Sequence, residues 1–153
     1  MRDRLHDDLG PPDLRLAGFQ LWVHGRQFEE SDDFWDGNWL RVTAHCGADG
    51  ASVWASGPIV RAPELQSWAG ECEDMLSFRY PAASLHCIEP NLAIEMRMDR
   101  QGGQVTLEVR ITPDQTTQEH CFTFSLDRSS LPDFLRDLRG IIDRYPVRGS
   151  EEG

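Results

Sequence analysis

The sequence predicts an α+β fold, a curved antiparallel β-sheet of about six or seven strands packed with two amphipathic helices. Three observations lead there. Apolar and polar residues alternate with period two in several short runs, each bounded by Gly, Pro, Asn or Asp. Two segments, 63–76 and 131–145, instead repeat their apolar residues at three- and four-residue steps. The chain has 153 residues, 39% hydrophobic and 27% charged, so it can bury one core without staples.

Residues 1–13 have no periodicity and close on Gly10-Pro11-Pro12, which reads as a loose N-terminal leader. Residues 14–148 form a single α+β domain in this reading, and 149–153 a disordered tail. The run Leu14 to Gly25 is expected as the first strand, with Phe19, Leu21 and Val23 facing one way and Gln20, Trp22 and His24 the other. Residues 26–38 read as a loop from their charge density and the Asp36-Gly37 pair. Asn38 to Cys46 is a second strand, turned back at Gly47-Ala48-Asp49-Gly50 into a third through Ser52-Val53-Trp54. This register places Trp22, Trp39 and Trp54 together on the face opposite the core, where one of the helices is expected to cover them.

Pro63 opens the first helix at a position where a missing N–H costs nothing, and Leu65, Trp68, Ala69, Cys72, Met75 and Leu76 form its apolar face. The stretch Ser84 to Met98 then carries two short strands that meet at Glu89-Pro90-Asn91. The apolar phase moves from odd positions (Leu85, Cys87) to even ones (Leu92, Ile94, Met96, Met98), so Pro90 marks either a tight turn or a bulge-like corner. Arg100-Gln101-Gly102-Gly103 is a hairpin loop into Gln104–Thr112, and a last strand over His120–Leu126 is expected to turn Phe122, Phe124 and Leu126 inward. These four strands look like an antiparallel meander. The closing helix has Ser130 and Asp133 at the spacing of a capping box, and an apolar stripe of Leu131, Phe134, Leu135, Leu138, Ile141, Ile142 and Tyr145 ends at Pro146.

Composition narrows the function. The formal net charge is −11, from 26 acids against 15 arginines and no lysine, a balance that repels nucleic acid and anionic membranes and favours a basic partner. The polar, acid-bearing start has no signal-peptide run and no segment reaches the length of a membrane span, which leads to the expectation of a cytoplasmic protein. The 4 cysteines are scattered without a CxxC pair and read as buried free thiols. GxSxG, Walker, HExxH and GxGxxG patterns are missing, and the loop at 26–38 does not satisfy the calcium-loop spacing. The expectation is a non-enzyme that needs no cofactor and no metal.

The stretch best equipped to act is the acidic-aromatic loop. Glu29, Glu30, Asp32, Asp33 and Asp36 surround Phe34 and Trp35, joining an aromatic anchor to charge steering toward a basic surface. The bland alternative is that the aromatics fold back onto the core as a lid. Two further readings stay open: His45, His86 and His120 converging on a polar sheet face as a metal, small-molecule or catalytic site, and a scaffold protein that pairs through its tryptophan face.

Several pieces in order, Asp36-Gly37-Asn38-Trp39-Leu40, Ser52-Val53-Trp54, Pro63-Glu64-Leu65 with Trp68, Ile88-Glu89-Pro90-Asn91-Leu92 and Tyr145-Pro146-Val147-Arg148, resemble the WapI-type family of bacterial toxin-immunity proteins over residues 16–148. The resemblance implies a cytoplasmic protein that binds and neutralises a cognate protein toxin, without catalytic residues. It assigns no binding residue. An acidic surface suits a basic toxin, and neither nucleic acid nor membrane is an expected partner.

Overall fold

The computed structural model describes residues 8–152; the rest of the expected leader, 1–7, and the last tail residue, 153, lie outside the described residues. Eight strands and two helices follow one another as β1 (Leu14–Leu16), β2 (Phe19–Arg26), β3 (Trp39–Ala48), β4 (Ala51–Arg61), α1 (Ala62–Leu76), β5 (Ala82–His86), β6 (Leu92–Met98), β7 (Gln104–Ile111), β8 (Cys121–Asp127) and α2 (Leu131–Arg144). The α+β class holds, but the single curved sheet does not. The strands form two separate antiparallel meanders, β1-β2-β3-β4 and β5-β6-β7-β8.

Two physical causes account for the difference. The first is α1, which stands between β4 and β5 and packs along β5 and α2, so the chain leaves one sheet before it starts the next. The second is the run 14–25, read as one strand. It folds at Ala17-Gly18, with Ala17 at φ 50°, into a hairpin that pairs Leu16 with Phe19 and Leu14 with Leu21. The apolar phase does shift there, from Leu14 and Leu16 to Phe19, Leu21 and Val23, but a two-residue turn without Pro, Asn or Asp leaves that single slip as the one mark of the hairpin. One buried cluster unites both sheets and both helices, from Phe19 and Leu40 through Trp68 to Val109 and Leu138. Trp68 is fully buried and meets Phe134 edge-to-face with ring centroids 5.1 Å apart, joining α1 to α2.

The second meander follows the expected order. Leu85 pairs with Ile94 and His86 with Ala93, so residues 87–91 are a hairpin loop that contains Pro90. Cross-strand partners such as 85 and 94 differ in parity, and that is why one face is odd-numbered before the loop and even-numbered after it. Asn91 pins the loop, its Nδ2 donating to the Thr112 carbonyl at 2.9 Å while Thr112 N–H donates to the Asn91 carbonyl at 2.9 Å. Strand β8 departs from expectation in being only half covered: Phe122, Phe124 and Leu126 are intermediate in burial, since β8 is the sheet edge.

The helix ends also differ in detail. The expected capping box at Ser130 and Asp133 is not formed. Ser130 is itself helical, and Asp127 accepts from Ser129 N–H at 2.9 Å at the start of a 3₁₀ turn, Arg128–Ser130, that winds into α2. That bond holds the Asp127 carboxyl below its ordinary value. At the start of α1, Glu64 accepts from Arg61 N–H at 2.7 Å through one oxygen and from Ile88 N–H at 2.9 Å through the other, tying the helix to the β5–β6 loop. Burial raises the Glu64 pKa, a rise these backbone bonds only partly oppose. The far end of α1 closes as a Schellman motif, with Phe78 N–H donating to the Met75 carbonyl and Arg79 N–H to the Asp74 carbonyl. Phe78 occupies the left-handed position at φ 60°, where a side chain costs about 1–2 kcal/mol and glycine is usual.

All four cysteines are free thiols. Cys46 and Cys72 are buried and burial pushes them up to about 11 and about 12; Cys121, at the start of edge strand β8, is exposed, contrary to the expectation that all four are buried.

Candidate functional site

The chain between β2 and β3 wraps into a set of turns whose shape is fixed from below. Asp33 organises the tip: its carboxylate accepts from the N–H groups of Trp35 and Asp36, each at 3.0 Å, and its carbonyl accepts from Gly37 N–H at 2.7 Å. Gly37 admits no side chain, because a Cβ there would lie 2.3 Å from the Ser31 carbonyl oxygen and 2.6 Å from that of Asp33. The next residue, Asn38, is fully buried and acts as a bracket. Its Nδ2 donates to the carbonyls of Phe34 (2.7 Å) and Arg148 (3.0 Å), and its Oδ1 accepts from Arg148 N–H at 2.8 Å.

Three arginines complete the frame by saturating backbone carbonyls. Arg26, buried at the end of β2, donates to the Gly37 carbonyl at 2.7 Å and to that of Pro146. Arg148 donates to Glu29 and Ser31 carbonyls at 2.6 and 2.9 Å. Desolvation and the neighbouring Arg148 charge lower the Arg26 pKa. Arg61, at the end of β4, donates to the Phe34 carbonyl at 3.0 Å and lies 5.1 Å from the ring centroids of Phe34 and Trp35 and 5.7 Å from that of Trp39. Its Nε is buried without an acceptor, so ring faces and the nearby Glu64 charge compensate the desolvated guanidinium.

On this frame the seven expected residues fall into two groups. Glu29, Glu30, Asp32, Asp36 and Trp35 are exposed, Trp35 by 49%; so is Phe28 of the same loop, by 48%. Phe34 is half-buried, edge-to-face with Trp35 at 5.2 Å, and Asp33, though exposed, spends its carboxylate on the loop's own backbone. The two alternatives for the aromatics are thus divided between them: Phe34 folds inward over Arg61 and Trp35 stays at the surface. Beneath the loop, Arg26, Glu29, Arg144, Tyr145 and Arg148 line a cleft of about 260 Å³.

The tryptophan face is likewise divided. Trp22 stacks on Trp54 with centroids 5.7 Å apart, and Trp54 meets the His45 ring at 4.2 Å, whereas Trp39 joins the Arg61 cluster. Cover over the buried Trp22 comes from the chain before β1, where the Gly10 carbonyl accepts from its Nε1 at 3.0 Å; Asp13 there accepts from Val23 N–H at 2.7 Å.

The histidines do not converge. His45 lies in β3 of the first sheet, bonded to Gln20 and Ser52. His86 ends β5 and His120 precedes β8, opposite edges of a four-stranded sheet and so about 14 Å apart at the usual strand spacing. Among the described residues no three His, Cys, Asp or Glu side chains gather where they could hold a metal ion, and no helix is long and apolar enough to cross a membrane.

The sequence assigned no role to Arg26, Asn38, Arg61 or Arg148, although Asn38 and Arg148 lie in segments that carry the family resemblance. A further signal was Asn38 between Gly37 and an apolar strand, a polar residue at a place with no turn left to make.

A sequence model of the immunity protein WapI-like family matches residues 13–146. No curated protein sequence matches the chain. Solved structures of similar shape include the following three. A CdiA-CT/CdiI toxin and immunity complex from Enterobacter cloacae gives a TM-score of 0.45 at 12% identity, covering 80% of this chain and 99% of the other. MRP1/MRP2 of Trypanosoma bruciei gives 0.45 at 13%, covering 82% and 74%. A guideRNA-binding protein complex bound to a gRNA gives 0.45 at 13%, covering 93% and 88%. At this level of similarity none of the three bears on function.

Proposed function

Since this chain belongs to the WapI-like immunity protein family, we propose that it is a non-catalytic cytoplasmic binding protein that neutralises a cognate, basic bacterial toxin by occluding it. The contact surface in this reading is the loop Glu29, Glu30, Asp32, Asp33, Phe34, Trp35 and Asp36. Trp35 supplies the anchor and Phe28 widens it, while Glu29, Glu30, Asp32 and Asp36 steer the approach. Asp33 and Phe34 hold the shape. The observation that carries the proposal is the hydrogen-bonded frame: an exposed Trp35 and four exposed carboxylates sit on a loop whose backbone is held by Asn38, Arg26, Arg61 and Arg148, an arrangement that lowers the ordering cost of binding.

The loop is tested with a candidate toxin domain that the wild-type chain binds in vitro and protects cells against. Replacing Glu29, Glu30, Asp32 and Asp36 together by Gln or Asn is expected to slow association by about tenfold or more at low salt and to flatten its salt dependence. Unchanged affinity and salt slope would remove the loop from the interface.

A further inference from the structure

Three connections meet at the end of the molecule remote from the acidic loop. The α1–β5 connection brings Phe78, Arg79 and Tyr80, the β6–β7 hairpin brings Arg100, and the start of the 3₁₀ turn brings Arg128. Helix α1 separates the two ends: Ala62 N–H bonds the Asn38 carbonyl beside the loop, and Leu76 lies about 21 Å further on at 1.5 Å per residue.

The chemistry here differs from the loop's: aromatic rings stand among arginines, and the nearby carboxylates of Asp74, Asp99 and Asp127 are each already engaged, the last by Ser129 N–H. Phe78 is 62% and Tyr80 63% exposed, and Arg128 stands over the Phe78 ring at 4.8 Å. Among the described residues Arg100 and Arg128 form no ion pair, Arg79 is held by Asp74 at 3.5 Å, and Asp99 is occupied as an acceptor for Gly103 and Gln104 N–H groups. The rings border a cleft of about 340 Å³ floored by Met75 and Met98. The backbone is bent to keep this arrangement. Phe78 sits where the Schellman motif favours glycine, and the facing Gly102 leaves room for its ring, since a Cβ on Gly102 would lie 2.5 Å from the Phe78 Cε1.

We propose that the cleft of Phe78, Tyr80 and Arg100, with Arg128 over the Phe78 ring at its side, is a second docking surface, which takes an acidic, apolar-anchored segment of a protein partner. An apolar side chain of that segment enters the cleft over Met75 and Met98, and flanking carboxylates pair with Arg100 and Arg128. The guanidinium donors of Arg100 and Arg128, left without a carboxylate while Asp74, Asp99 and Asp127 are engaged elsewhere, select this occupant. A short acidic peptide presents its charge to the local arginines, whereas a polynucleotide extends beyond them into the field of a chain with net charge −11. The surface is independent of the acidic loop and of the toxin proposed to bind there.

The test uses the intact chain and fluorescence anisotropy with a short labelled peptide in which Asp and Glu alternate with Phe and Leu, beside the same peptide with Lys for its acids and a labelled oligo-dT. The acidic peptide alone is expected to bind, saturably and less tightly at high salt. Arg100→Glu and Arg128→Glu are each expected to weaken it about tenfold. Phe78→Gly, which relieves the left-handed residue while removing the ring, is expected to lose binding without a large fall in Tm. No binding of the acidic peptide, equal or tighter binding of oligo-dT, or binding indifferent to Arg100→Glu would each overturn the proposal.

Discussion

Asn38 and Arg148, 110 residues apart, exchange a pair of hydrogen bonds: Arg148 N–H donates to Asn38 Oδ1 at 2.8 Å and Asn38 Nδ2 donates to the Arg148 carbonyl at 3.0 Å. A side-chain amide here does what a neighbouring strand would do, and it couples the candidate loop to the end of the chain. With the further bond to Phe34, one buried residue fixes the loop's shape.

Asn38→Ala leaves the carbonyls of Phe34 and Arg148 and the Arg148 N–H without their partner. The expected loss is about 2–4 kcal/mol, read as a fall in Tm of roughly 5–15 °C. Asn38→Asp keeps the Arg148 N–H bond but loses both donations, and it is expected to fall by a comparable amount. If either variant melts with the wild type, the bracket is not holding the loop.

Arg61→Lys keeps a charge but loses the planar face that meets three aromatic rings. The expected cost is about 1–2 kcal/mol, with red-shifted tryptophan emission and faster proteolysis within residues 28–36. Unchanged emission and cleavage would show that the rings order themselves without the guanidinium.

Glu64 carries a pH signature. Burial raises its folded pKa above the unfolded glutamate value of about 4.3. The folded state therefore binds its proton more tightly than the unfolded chain, so ionisation of Glu64 lowers stability as pH rises from that value through the raised folded one. Glu64→Gln removes this titration. Chemical denaturation from mildly acidic to neutral pH is expected to show wild type losing stability relative to Glu64→Gln across that window and running parallel to it above. Parallel curves throughout would mean that the backbone N–H bonds of Arg61 and Ile88 cancel the effect of burial.

Much of the fold was legible because it is local. Alternation fixed β6 and β7, and three- and four-residue spacing fixed α1 and α2. The β5–β8 meander followed from turn residues between adjacent strands. The Ala17-Gly18 turn was passed over, because its sign is only a one-residue slip in apolar phase, from Leu14 and Leu16 to Phe19 and Leu21, with no Pro, Asn or Asp to punctuate it. Nor was the cap at Asp127, because Ser130 has the right spacing from Asp133 while its backbone is already helical. Of the candidate site, the acids could be read as exposed from their density alone. The fates of Phe34 and Trp35 could not.

By itself the sequence determined the class of the protein, the seven residues of its acidic-aromatic loop and the family to which the chain belongs. Those depend on residue types and on spacings of a few positions, which short-range sterics and burial translate directly into structure. Only the tertiary structure decided that the strands part into two sheets, that the histidines stay apart, and that Arg61 and Asn38 frame the loop. Each of these is a meeting of residues distant along the chain, and such meetings are set by how helices and sheets pack once their apolar faces close on one core.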